Sequence, residues 1–160
     1  MSHSSGQEPA ATAGAGIRLA AETWESLFRA QVAVMRQLQA APAFKQLALN
    51  EYDVLFTLSR CPSGWLRLNE LNDHVLLSQS SLSRLVERLE KRGLLERTPS
   101  PEDGRGILIR LTAEGRDLQK QIGREHVRDI ADLVVPALTA AEQKELLKLT
   151  AKLRASVASR

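Results

Sequence analysis

Between Ser78 and Arg92 the chain reads SQSSLSRLVERLEKR, and its polar side chains come in two kinds at helical spacing. Ser78, Gln79, Ser80, Ser81 and Ser83 are short hydroxyl and amide groups gathered at the start, and Arg84 and Arg88 follow one and two turns beyond Ser80. Small hydroxyl and amide groups can approach nucleobase edges closely, whereas Arg can bond guanine bidentately or hold a phosphate. A helix N-terminus adds partial positive charge that itself favours phosphate.

On a helical wheel, Leu82, Leu85, Val86 and Leu89 form one apolar stripe at i, i+3, i+4 and i+7. Opposite it lie Ser80, Arg84, Glu87 and Lys91, flanked by Ser83 and Arg88. The plain alternative is a solvated helix with a charged back, since runs such as ERLEKR are frequent on ordinary surfaces. A second element weighs against it. The loop TPSPEDGRG follows directly and carries Arg105 beside Gly104 and Asp103. An Arg at such a loop tip is attracted to the negative potential of a minor groove.

Other chemistries find little support. Cys61 is the single cysteine, which excludes an intramolecular disulfide framework, and Cys-His clusters at zinc spacing are missing. No metal and no cofactor are expected. Cys61 has only Arg60 as a neighbouring cation and no resolving thiol in the chain, so an inert thiol is the reading. His74 and His126 belong to no metal spacing and are expected to face solvent or to be hydrogen-bonded. The serines have no attendant His motif, so no catalytic residues and no enzyme are expected.

The elements that must position these groups can be read in order. Ile17 to about Ala41 is a long amphipathic helix carrying Trp24, Leu27, Phe28, Met35 and Leu38 along one stripe, ended near Pro42. A second helix is expected from Asn50, acting as N-cap, with Tyr52, Val54, Leu55 and Leu58 buried, closed by the Cys61-Pro62-Ser63-Gly64 turn. Leu66 to Leu68 reads as a very short strand before a helix around Asn69 to Val75. Ser78 caps the next helix and Gly93 stops it. LLERT and ILIRLT then form a β-hairpin, with Ile107, Ile109 and Leu111 on one side. Thr112 caps a long helix that ends or kinks at Pro136, and Thr139 with Glu142 makes a capping box for the last.

The whole is 160 residues with a formal net charge of +3, 43% hydrophobic and 4% aromatic. That suits one mainly helical globular domain whose core is aliphatic. The charge is compatible with a polyanionic partner without requiring one. Residues 1–16 lack the basic start and apolar core of a signal peptide and are expected to be a disordered tail. No apolar run approaches membrane-spanning length, so no membrane partner and a cytoplasmic location are expected.

The stretch LSQSSLSRLVERLEKRGLLERTPSPEDGRGILIRLTAEGR resembles the core of the MarR family of bacterial regulators. The pattern S-x-L-x-R-L-v-x-x-L-e-x-x-G-L is met from Ser80 to Leu94, and P-x-x-x-D-x-R-x-x-x-x-x-L-T-x-x-G from Pro99 to Gly115. Each half is weak alone and the pair is specific. Element order is similar from about Ile17 to Val157, with close patterning from Leu66 to Arg116.

The resemblance implies a mainly α fold with a small β-hairpin wing (α+β), that is, a winged helix-turn-helix with N- and C-terminal dimerisation helices. On this reading 17–160 is one domain, with 17–41 and 113–157 as dimerisation helices and 50–112 as the winged lobe. It implies a homodimeric DNA-binding transcriptional repressor on a palindromic operator, with half-sites about 34 Å apart. Ser78 to Arg84 would begin the recognition helix, Arg84 would contact DNA, Arg105 would be the wing arginine and Asp103 would position it. Gly104 departs from the pattern, since many relatives carry another basic residue there.

The resemblance further implies a small aromatic ligand between the dimer helices and the lobe, for which Trp24, Phe28, Tyr52 and Trp65 are the candidate pocket residues. Apolar packing is the competing fate of each. The alternative function is a winged-helix module that mediates protein contacts without binding DNA.

Overall fold

The computed structural model describes residues 8–75, 77–101 and 106–158, with side chains from residue 14 onward. The chain divides into two units, 1–37 and 38–160.

The first unit is built from helix α1 (Glu8–Ala40). The helix begins at Glu8 and not at Ile17, and residues 1–7 of the expected tail lie outside the described residues. Pro9 falls in the first turn, where its fixed φ suits a helix, and alanine is the best helix former. Extending a helix already nucleated downstream needs no new nucleus. Along α1, Ile17, Leu19, Trp24 and Phe28 are exposed, and the Trp24 and Phe28 rings stack at 6.2 Å.

The second unit opens with a short 3₁₀ turn at Pro42–Phe44. Then come α2 (Leu49–Ser59), β1 (Leu66–Arg67), α3 (Leu68–Asn72), α4 (Gln79–Lys91), β2 (Leu95–Pro99), β3 (Ile107–Leu111), α5 (Ala113–Val134) and α6 (Ala140–Ala158).

Helix α2 starts one residue before the expected cap. Asn50 is already inside it, and the N-cap position is Ala48, whose amide donates to the Glu51 carboxylate at 3.0 Å. A carboxylate at N3 reaching back satisfies one of the free first-turn amides that alanine cannot. The same device opens α3, where the Arg67 amide donates to Glu70 at 3.1 Å. Helix α3 is shorter than expected, because the Asp73 and His74 amides bond back to the Glu70 and Leu71 carbonyls and tighten its last turn.

Helix α4 follows its sequence signals closely. The Ser78 hydroxyl accepts from the Ser81 amide at 3.3 Å, and Gly93 takes φ +72° just past the C-cap. Leu82, Leu85, Val86 and Leu89 are all buried. Each such side chain stabilises the fold by about 1.5–3 kcal/mol relative to exposure. Helix α4 packs on α3 and β2, and its four apolar residues are buried, as are Val54, Leu55 and Leu58 of α2, Leu71 of α3, and Ile109 and Leu111 of β3.

The hairpin is part of a larger sheet than expected. Its order is β1-β3-β2, all antiparallel, with Leu66 opposite Ile109 and Glu96 opposite Arg110. Ile109 and Leu111 are buried as the alternation requires, but Ile107, the first residue of β3, is exposed.

Thr112 caps α5 by accepting from the Gly115 amide at 3.0 Å. At Thr139 the capping box is complete: its amide donates to Glu142 at 2.8 Å, and its hydroxyl accepts from the Glu142 amide at 3.3 Å. The amide's bond, with one that the Thr139 hydroxyl donates to the same carboxylate at 2.8 Å, holds the Glu142 carboxyl below the usual carboxylate range. Helix α6 buries none of its own residues, leaving Leu146, Leu147, Leu149, Leu153 and Val157 exposed.

Candidate nucleic-acid interface

The buried back of α4 fixes which of its side chains face outward. Gln79, Ser80, Ser81 and Arg84 are exposed, and Ser83 is half-buried beside Leu82. Ser78 is committed to the cap: it accepts from the Ser81 amide and its hydroxyl donates to Ser81 Oγ at 2.8 Å. Gln79 and Arg84 are thereby left outward, while the Ser80 hydroxyl lies 3.3 Å from Ser78 Oγ and Ser81 is engaged in the cap.

The cations of α4 differ in freedom. Lys91 pairs with Glu87 at 2.9 Å, one turn back on the same helix, and that hydrogen bond lowers the Glu87 carboxyl. Arg88 lies 3.7 Å from Glu51. Arg84 alone among the described α4 cations has no ion-pair partner. It stands on the exposed face within the first turns, where both base edges and phosphate come within reach of a guanidinium.

The wing's stem is well defined and also electrically balanced. β2 and β3 pair from Leu95 with Leu111 to Pro99 with Ile107, and the Ser100 amide donates to the Gly106 carbonyl at 2.7 Å, closing the loop at its base. Arg97 donates to Glu90 at 2.7 Å, a bond that holds its guanidinium proton more tightly. Arg110 is paired with Glu96 across the strands and covers the Trp65 ring at 4.5 Å. The tip residues Asp103, Gly104 and Arg105 lie outside the described residues.

The four aromatic candidates fall two in each unit. Trp24 and Phe28 stack on α1, Tyr52 is buried in the second unit, and Trp65 lies under Arg110. Tyr52 meets Phe44 edge-on at 5.7 Å and stacks against Phe56 at 6.0 Å. Within the second unit, an open groove of about 700 Å³ is lined instead by Phe56, Arg60, Cys61, His74 and Arg154, with Asp53 at its wall. Only the i, i+3, i+4 spacing of Asp53, Phe56, Thr57 and Arg60 on α2 could have hinted at it.

Cys61 is half-buried, with its sulfur 3.1 Å from the Trp65 carbonyl. His74 is exposed, as expected. His126 is half-buried and is not hydrogen-bonded through Nδ1. Its ring sits edge-on to Phe44 at 5.0 Å and to Tyr52 at 5.3 Å, and its buried Nδ1 has no hydrogen-bond partner. Burial is the main influence on its pKa and lowers it, while Asp53 and Asp129 pull the other way.

No helix among the described residues is long and apolar enough to cross a membrane. The sequence profile of the MarR family matches residues 45–106, from the loop before α2 to the foot of β3. An HTH-type transcriptional repressor of Mycobacterium bovis is 32% identical over 128 residues, covering 79% of this chain and 89% of the relative. The fold is shared with Sco3205, a MarR family transcriptional regulator from Streptomyces coelicolor solved in complex with DNA. The two are 28% identical with a TM-score of 0.72, over 82% of this chain and 83% of that one. It is shared also with the PcaV transcriptional regulator of the same organism, solved in complex with its natural ligand. That pair is 27% identical with a TM-score of 0.65, over 84% and 91% of the two chains. With a capped, outward-facing α4, a β-stranded wing behind it and relatives aligned along both, the chain belongs to the MarR family of DNA-binding transcriptional regulators.

Proposed function

We infer that the chain represses transcription as a homodimer that reads a palindromic operator. Helix α4 enters the major groove, with Gln79, Ser80 and Arg84 at the base edges and Ser81 and Ser83 beside them. Ser78 holds the helix start that faces phosphate. Arg105, positioned by Asp103 in a wing that has Gly104 where many relatives carry another basic residue, engages the neighbouring minor groove.

The observation that carries this reading is Arg84, exposed and without an ion-pair partner on a helix whose opposite face is wholly buried. A charge left unneutralised on a rigid surface is available for an anionic partner, and the cations around it are matched internally. The Mycobacterium relative supports repression, and the DNA complex of Sco3205 supports the docking.

Dimerisation through 17–41 and 113–157 is supported by the exposed apolar residues of both ends. α1 offers Ile17, Leu19, Trp24 and Phe28, and α6 offers Leu146, Leu149, Leu153 and Val157. So many exposed apolar residues on each of two helices are uncommon on a monomer, and pairing two copies about a two-fold axis would present the reading helices to two half-sites. A small ligand that favours one spacing of the two lobes would release the operator, a reading supported by the PcaV complex. The function needs no catalytic residue and no cofactor.

Selection of bound fragments from random duplex DNA, followed by titration at several salt concentrations, tests the proposal. Enrichment of an inverted repeat and affinity that falls steeply with salt are expected. Absence of salt-sensitive binding to any duplex refutes it and favours a module for protein contacts.

A further inference from the structure

Among the described residues Glu51 is the one buried acidic residue of the second unit, and its interactions with them bear on α4 with its C-cap or on the start of α2. Its side chain is only 12% exposed. One carboxylate oxygen accepts from the Ala48 amide at 3.0 Å and lies 3.4 Å from Arg92 Nη1, while the other lies 3.7 Å from Arg88 Nε. Arg92 also donates through Nη2 to the Gln46 carbonyl at 2.8 Å. The second half of α4 is thereby tied at two points to the chain entering α2.

The geometry points to Glu51 as the positioning residue of the DNA-reading helix, one that sets the roll of α4 and keeps Arg88 engaged with protein in place of phosphate. This rests on the reading of α4 given above. Two rows of side chains fix a helix about its own axis better than one. Apolar burial of the leucine stripe is non-directional, whereas a carboxylate held by a backbone amide is a directional anchor for two guanidinium groups. Arg88 is the weaker of the two attachments and its side chain is 57% exposed, so loss of the anchor frees it first. Arg92 keeps its bond to the Gln46 carbonyl.

The test compares wild type, Glu51→Gln and the double variant Glu51→Gln with Arg88→Gln. Each is titrated against the duplex recovered by selection and against a scrambled duplex of equal composition, at several salt concentrations. Gln keeps an acceptor for the Ala48 amide and removes the charge. A freed Arg88 neutralises one further phosphate, so the slope of log K against log salt steepens by about 0.9 per protomer. Preference for the selected duplex over the scrambled one falls by roughly fivefold, the size expected for broken coupling between neighbouring groups. The double variant returns to the wild-type slope.

An unchanged slope and an unchanged preference in Glu51→Gln overturn the assignment. A parallel loss of affinity for both duplexes at constant slope also overturns it, since that marks a residue that only holds the fold, and thermal unfolding followed by circular dichroism records that loss separately. If the wild-type protein itself shows no salt-sensitive binding, the reading of α4 falls first, and this is seen before any substitution is made.

Discussion

Gly115 lies directly against the backbone of Leu94: a Cβ built at position 115 would stand 1.8 Å from the Leu94 carbonyl oxygen. The same carbonyl accepts from the Thr112 amide at 3.2 Å, and the Thr112 hydroxyl donates to the Gly93 carbonyl at 2.7 Å. The end of the reading helix, the foot of the wing and the start of α5 are thus locked by backbone contacts.

Gly115→Ala therefore cannot be absorbed by a side-chain rotation, and either α5 or the Leu94 backbone must move. A loss of stability of about 3 kcal/mol is expected, measured by urea unfolding. A loss below about 0.5 kcal/mol would show that the junction is free to shift.

Arg84→Ala removes the unpaired guanidinium of α4. Discrimination at one base pair per half-site should fall by about 1–3 kcal/mol, with little change in affinity for random DNA. Competition titrations with single-position operator variants check this. Equal weakening toward all sequences would assign Arg84 to phosphate.

Arg105→Ala should do the reverse, lowering affinity for all duplexes and reducing the salt slope by about 1 per protomer. Fluorescence anisotropy at several salt concentrations distinguishes it from Arg84→Ala.

Leu149→Glu or Leu153→Glu places a charge on the exposed apolar face of α6. If that face pairs two copies, the dissociation constant rises by roughly a hundredfold, visible by sedimentation equilibrium. Unchanged sedimentation would remove α6 from the interface.

His126 carries a pH dependence whose sign follows from its surroundings. Burial lowers its pKa below the ordinary value of about 6.5, so the folded state binds the proton less readily than the unfolded chain. Its contribution to stability is complete above about pH 6.5 and is lost as pH falls from there through the folded pKa. Asp53 runs oppositely: burial raises its pKa, so its contribution is complete below about pH 3.9 and is lost as pH rises through its folded value. His126→Phe keeps an aromatic ring beside Phe44 and Tyr52 and removes the titration. Chemical unfolding across pH 5 to 8 should then show a flatter profile than wild type, with Asp53→Asn as the companion variant. Equal slopes in wild type and His126→Phe would show that the imidazole titrates alike in the folded and unfolded states.

Much of this molecule was legible in its sequence, because helix starts and stops are chemistry between residues three and four apart. Ser78, Gly93, Thr112 and the Thr139–Glu142 pair each mark an end with a side chain or a φ that only a few residue types supply, and the leucine stripe of α4 names its own buried face. The outward positions of Ser80, Arg84, Glu87 and Lys91 follow from that stripe alone, whereas the exposure of Gln79, three residues before Leu82, is seen in the structure.

What the tertiary structure decided lies where distant segments meet. Nothing in local spacing tells that Glu51 will face Arg88 and Arg92, that β1 will pair with β3, that Gly115 must be bare for the Leu94 carbonyl, or that His126 will be wedged between Phe44 and Tyr52. Those contacts depend on how the chain reverses between elements, and periodicity carries no information about which faces then oppose one another. The free or occupied state of each arginine was likewise undetermined until its carboxylate partner was brought beside it, because charge is written in the sequence and its neutralisation is a matter of distance.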